Sequence, residues 1–275
     1  MPRPLKLFAL VLAGFASPAF AAGVLGSAQD NTSPALAAKL NKPVPASLIT
    51  TLEQASKAGL RLSVVPEPVD LKAIDGPRLG TGDKVGLLYM GADFCPYCAG
   101  QRWALILTLV RFGKLEGVDY MLSSSQDAYP NTPTFSFLHA TYTSDHLVFQ
   151  PVETEDRNGK VLMKPTDEQN KIYSTYDAPP YTPVFGSIPF IYLDGQYVLN
   201  RPMLLPGDLT GKDWDTAAKA FADPQSALFQ QAMPQVNALT AAICRLDGGN
   251  PDDVCSAPGV TAANGALLKL SQGGS

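Results

Sequence analysis

Apolar residues run almost without a break through Val85-Gly86-Leu87-Leu88-Tyr89-Met90. A strand covered on both faces reads this way, whereas a half-exposed strand alternates. Shortly after it, Trp103, Leu105, Ile106, Leu107, Leu109, Val110 and Phe112 make residues 99–111 a helix that is apolar over much of its circumference, and Gly113 predicts its end. Residues 118–122 predict a second strand. Residues 134–138 and 142–151 read as extended, the latter anchored on Leu147-Val148-Phe149. Farther along, two apolar runs between Ile188 and Leu199 flank Asp194-Gly195, a strong hairpin signal.

Weaker patterns fill the rest. Ser47 is expected to cap a helix over 48–58 that stops at Gly59 and turns Leu48, Leu52, Ala55 and, loosely, Ile49 inward. Residues 62–65 and 71–74 are short strand candidates, and 153–160 is a charged loop. Residues 166–176 predict a polar helix, followed by a proline-rich connector at 178–183. Asp213 or Asp215 starts a helix through Phe221. Pro224 is expected in the first turn of another that reaches about Arg245, with Pro234 inside it. The end, 259–275, reads as a ragged tail with some helical potential.

The N-terminus changes the setting. Arg3 and Lys6 form a short basic start, residues 5–15 are mostly apolar, and Ala19-Phe20-Ala21 fits a small-x-small cleavage site, so residues 1–21 read as an export signal. The run is short for a membrane span of ~20 residues, which makes an uncleaved anchor the lesser alternative. The expected organisation is a flexible segment at 22–45, a single domain over 46–256 and a tail at 257–275. The 275 residues are 45% hydrophobic and 17% charged, enough for a packed core. A net charge of −4 gives no electrostatic reason to expect a nucleic-acid partner, and two histidines exclude a histidine-rich metal site.

The chemistry is concentrated in Cys95-Pro96-Tyr97-Cys98, set between the predicted strand and the predicted helix. This arrangement makes redox-active cysteine pairs. Cys95 lies just ahead of the helix, where unpaired backbone N–H groups and the helix dipole favour a negative sulfur. Cys98 lies one turn in. Cys244 and Cys255 form the second pair, a structural disulfide across the turn Asp247-Gly248-Gly249-Asn250-Pro251. The alternatives are a purely structural bridge at Cys95–Cys98 and, less well supported by spacing, a zinc site using all four cysteines.

Strand, Cys-Pro-Tyr-Cys, helix, strand, and later Ile-Pro, strand, Asp-Gly turn, strand and helix resemble a thioredoxin fold. The likeness covers residues 84–112, 118–122 and 187–222, in pieces separated by an insertion at about 123–186. The whole chain also resembles an exported, uncharacterised family, domain of unknown function 929, through Gly91-Ala92-Asp93-Phe94-Cys95-Pro96-Tyr97-Cys98, the aromatic segment from Tyr129 to Phe137, and Ile243-Cys244 to Val254-Cys255.

The thioredoxin likeness implies an α/β fold: a central mixed sheet flanked by helices, with helical extensions at both ends. It implies Cys95 as nucleophile, Cys98 as resolving thiol, and Ile188-Pro189 as a cis-proline edge against which substrate lies. Pro96 and Tyr97 tune the potential. Tyr89 departs from the pattern, standing where such proteins usually carry a buried acid, and leaves Asp93 as the nearest replacement. The implied function is an exported thiol–disulfide oxidoreductase (oxidase, isomerase or reductase) acting on protein thiols, with no cofactor and no metal. Its partners are cysteine-containing proteins or a membrane redox partner. The competing possibilities are a non-catalytic binding module and a dedicated redox partner, both with Cys95–Cys98 as a staple. The Tyr129–Phe137 segment is either a lip over the cysteines or core packing.

Overall fold

The computed structural model describes residue 30, residues 32–66 and residues 70–272; the export signal expected at 1–21 lies outside them. After the short helix α1 (Pro34–Ala37), α2 (Ala46–Gly59) buries Leu48, Leu52 and Ala55 as its spacing predicts. Its cap is Pro45 and not Ser47. The Leu48 N–H already bonds to the Pro45 carbonyl, so the helix starts at Ala46, and proline's fixed φ suits that entry.

Next come β1 (Lys72–Ala73), β2 (Val85–Gly91), α3 (Pro96–Leu109), β3 (Gly113–Glu116), β4 (Asp119–Leu122), β5 (Pro133–Ser136), β6 (Thr141–Ser144) and β7 (Leu147–Glu153). The chain continues through α4 (Asp167–Tyr176), β8 (Phe190–Leu193), β9 (Tyr197–Leu199), α5 (Trp214–Ala222), α6 (Ala227–Leu246), α7 (Asp252–Cys255) and α8 (Pro258–Gln272).

The main sheet has the order β1-β9-β8-β2-β7. All seven residues of β2 are buried, which is what its unbroken apolar run requires. It pairs in parallel with β7, from Val85 opposite Leu147 to Gly91 opposite Glu153, and antiparallel with β8. Successive β2 side chains serve different layers. Val85, Leu87 and Tyr89 join the larger core with α2, α3, α5 and α6. Leu88 and Met90 join Phe190, Tyr192 and Val198 under Ile172 and Tyr176 of α4. The β8–β9 hairpin turns where expected. Asp194 and Gly195 both have positive φ, and the Asp194 carboxylate accepts from the Leu79 and Gly80 N–H groups.

Several expectations are corrected. Residues 118–122 do form a strand, but β4 pairs with β5 and not with the main sheet. Four residues cannot serve the seven-residue edge of β2, which β7 matches along its whole length. Residues 123–186, expected as an insertion, supply β7 to the main sheet and α4 to its face, and β3 to β6 form an excursion between α3 and β7. Residues 142–151 divide into β6, paired with β3, and β7. Of residues 62–65 and 71–74, only Lys72–Ala73 is strand; the Leu62 carbonyl is satisfied instead by the Asn237 side chain.

The described part of the expected flexible segment 22–45 is anchored. Asn41, Lys42 and Val44 exchange backbone hydrogen bonds with Tyr120 and Val118, and Lys39 pairs with Asp215 at 3.1 Å. Pro224 stands ahead of α6, whose cap is Ser226, because the Ser226 hydroxyl accepts from the Phe229 N–H. The expected ragged tail is α8, which buries Val260, Ala263 and Leu267, a helical stripe that packs on α6. Cys244 and Cys255 are joined, tying α6 to α7 across a separation of 11 residues. Closing so short a loop contributes about 3 kcal/mol in the chain-entropy account.

Candidate active site at the Cys95–Cys98 pair

β2 ends at Gly91, and Ala92-Asp93-Phe94 carries the chain into α3. Cys95 is the extended N-cap residue of that helix. Its sulfur accepts the Cys98 N–H at 3.2 Å, doing what a Ser or Asp cap does. Pro96 fills the first helical position, where its missing N–H costs nothing. Both cysteines carry free thiols and both are buried, Cys98 completely. The two differ in acidity. The hydrogen bond with the Cys98 thiol pulls Cys95 below the ordinary thiol range. The Cys98 and Tyr97 N–H groups and the Arg102 cation pull the same way, against burial. Burial, reinforced by Cys95, pushes Cys98 well above that range.

Facing the pair is the start of β8. The Ile188–Pro189 bond is cis, and the Cys95 sulfur lies 3.9 Å from the Ile188 carbonyl oxygen. This loop is held from behind. The Asp177 carboxylate accepts from the Ser187 N–H and from Asn200 Nδ2, and the Tyr173 hydroxyl donates to the Ser187 carbonyl at 3.0 Å. Tyr97 is 39% exposed, with its ring edge-on to Tyr129 at 6.0 Å. The aromatic segment thus divides: Tyr129 stands at the rim beside the motif, while Phe135 and Phe137 are buried as packing.

Beneath the cysteines lies a charge cluster that the sequence did not reveal. Arg102, fully buried on α3, donates Nε to Glu153 Oε1 at 2.9 Å and Nη2 to Glu153 Oε2 at 2.6 Å. Nη2 also reaches Asp93 Oδ1 at 3.4 Å, and Asp93 Oδ2 accepts from the Ser136 hydroxyl. Glu153, expected at the head of a charged loop, is instead the buried last residue of β7. Asp93, one of the expected modulators, sits in this cluster and is 1% exposed. A signal for Arg102 was present, because a charge on an otherwise apolar helix demands a buried partner. Nothing in the sequence marks Glu153 as that partner.

Tyr89 is also fully buried. Its ring meets Phe137 edge-on at 5.7 Å, and the Arg102 guanidinium carbon stands 5.9 Å from its centroid. Gly91 has to be glycine here: a Cβ would collide with the Tyr89 hydroxyl and lie 3.2 Å from the Cys98 sulfur.

Burial, with the Glu153 charge second, pushes Asp93 up to about 7, against Arg102 and Ser136. Between the unfolded value of 3.8 and about 7, the folded chain keeps a proton that the unfolded chain has released. Stability therefore falls as pH rises through that window. The urea midpoint of the reduced protein is expected to drop between about pH 4 and pH 7, and Asp93→Asn, which cannot ionise, to flatten the drop. Equal slopes for the two proteins would refute the assignment.

The structure brings together Tyr89, Asp93, Cys95, Cys98, Ile188 and Pro189, with Pro96 and Tyr97 between the thiols. Cys244 and Cys255, bonded to each other, leave no four-cysteine zinc site. No curated protein and no solved structure matches the chain. The family model described as "Domain of unknown function (DUF929)" matches residues 73–245, which span β1 to α6 and hold every residue of this site, and the chain belongs to that family.

Proposed function

We propose that this protein is an exported thiol–disulfide oxidoreductase of thioredoxin-like fold that exchanges disulfides with cysteine-containing proteins through Cys95 and Cys98. The observation that carries the proposal is the split pair: one thiol at a helix N-terminus held toward thiolate, the other buried and held toward thiol, three residues apart. A thiolate is the attacking species in exchange, and a protonated neighbour waits to resolve the mixed disulfide. The cis Ile188–Pro189 edge beside the Cys95 sulfur suits an extended polypeptide.

The topology supports the fold assignment. β2, α3 and β7 make a parallel crossover unit, α4 returns across the sheet, and the antiparallel β8–β9 hairpin follows, with the cysteines opening α3 and the cis proline leading into β8. The excursion between α3 and β7 and the helices α6 to α8 are additions to that plan. Export is supported by the N-terminal pattern and by the joined Cys244–Cys255, since lasting disulfides belong to oxidising compartments. Electrons pass from sulfur to sulfur, so the reaction takes no cofactor.

Cys98→Ser is expected to accumulate a covalent adduct with insulin that thiol reductants release and that Cys95→Ser/Cys98→Ser never forms. A Cys98→Ser protein that forms no such adduct, beside a wild type that neither reduces insulin nor refolds a scrambled disulfide protein, would remove the enzyme reading.

A further inference from the structure

Among the described residues, two buried side-chain atoms have no hydrogen-bond partner, Tyr89 Oη and Arg102 Nη1. Both lie under the cysteine pair, on a ring and a guanidinium that face each other. A buried hydroxyl without a partner is a standing cost, and such a cost at a reacting centre calls for a state in which the partner exists. The geometry names the partner. A Cβ on Gly91 would collide with the Tyr89 hydroxyl and lie 3.2 Å from the Cys98 sulfur, so both groups approach the same side of that glycine, where no side chain separates them. A thiol is a weak acceptor, but a thiolate is a strong one.

We propose that Tyr89 is the hydrogen-bond donor to the Cys98 thiolate during disulfide closure, with the Arg102 cation behind it. The proposal rests on the oxidoreductase reading and assigns the residues that make its second step possible. Cys95, as the thiolate, first attacks one sulfur of a substrate disulfide: the mixed disulfide forms, the substrate sulfur–sulfur bond breaks, and the other substrate sulfur leaves as a thiolate that takes up the proton Cys95 released. Cys98 then gives up its proton and its sulfur attacks Cys95 Sγ. The Cys95–Cys98 bond forms and the bond from Cys95 to the substrate sulfur breaks. The electron pair leaves on the substrate thiolate, which takes up the proton that Cys98 released. The cysteine pair is oxidised and the substrate disulfide reduced.

Every ionisable group around the Cys98 sulfur has a place in this scheme. Cys95 carries the mixed disulfide. Tyr173 of α4 already donates its hydroxyl to Ser187. Asp93 and Glu153 are engaged by Arg102. Burial keeps the Tyr89 phenol protonated far above its ordinary range, so it acts as a donor and not as a base. Where thioredoxin-like sites rely on a buried acid, this one meets the charge on the resolving sulfur with a neutral donor and a cation.

The test is a titration of Cys98 in full-length Cys95→Ser protein, followed by the 13Cβ shift of labelled cysteine. Tyr89→Phe is expected to leave about tenfold less thiolate at a given pH, the loss of one charge-assisted hydrogen bond. It is also expected to raise the urea midpoint at neutral pH, since it removes an unpartnered oxygen. 3-Fluorotyrosine at position 89, a stronger donor, is expected to move the titration the other way. A structural role for Tyr89 predicts no such opposition of sign. A Cys98 titration left unchanged by both changes, or moved in the same direction by both, overturns the proposal. Insulin trapping by Cys98→Ser is read separately, so failure of the enzyme reading is distinguishable from failure of the hydrogen bond.

Discussion

Arg102→Leu is expected to destabilise the reduced protein by about 3–5 kcal/mol, the range for removing one member of a buried ion pair. Leucine fits an apolar helix, so the loss does not come from α3 itself. It comes from Glu153 and Asp93, two carboxylates that become buried without a cation. The carboxylates also repel each other, as the Glu153 contribution to the Asp93 shift shows. Chemical denaturation of the single variant and of Arg102→Leu/Glu153→Gln separates the causes. The double variant is expected to recover much of the loss, because a neutral amide can still accept the Phe137 N–H that Glu153 Oε1 accepts at 3.2 Å. A single variant within about 1 kcal/mol of wild type would show that the cluster is worth no more than a surface pair.

The second large effect concerns reactivity. At neutral pH, Cys95→Ser is expected to slow iodoacetamide alkylation by a hundredfold or more, given shifts of the size that full burial produces. Cys98→Ser should stay close to the wild-type rate, because the serine hydroxyl can still donate to the Cys95 sulfur. The asymmetry follows from the two positions. Cys95 accepts a backbone N–H at a helix end, whereas Cys98 is enclosed one turn in. Mass spectrometry of the alkylated protein reads it directly. Comparable rates at the two cysteines would contradict the split in acidity.

The elements that position the site were legible in the sequence because each carries a local signature. β2 is a continuous apolar run, α3 is apolar over much of its circumference, and Asp194-Gly195 is a strong hairpin signal. Which strand completes the sheet was not legible. β4 and β7 both offer apolar residues, and pairing length, four residues against seven, decides which serves β2. Glu153 was misplaced because it begins a run of charges, and periodicity does not show where such a run leaves the core. α8 was obscured by Gly259 and Gly265, although Val260, Ala263 and Leu267 carried its buried stripe. The cysteine pair and its facing proline were readable. Of the charges beneath them Asp93 was readable, whereas the pairing of Arg102 with Glu153 was not, because it joins a helix to a strand 51 residues away.

The pairing of Arg102 with Glu153 also constrains the order of assembly. The two residues are 51 positions apart, with the β3–β6 and β4–β5 ladders between them. α3 has the local propensity to form early, but its arginine cannot be buried until β7 arrives with the carboxylate. Contacts of such sequence separation are slow to close. The docking of β7 on β2 is then a checkpoint: until the excursion has folded and delivered that strand, the floor of the cysteine site stays open to water, and Cys98 gains its protection only when the sheet is complete.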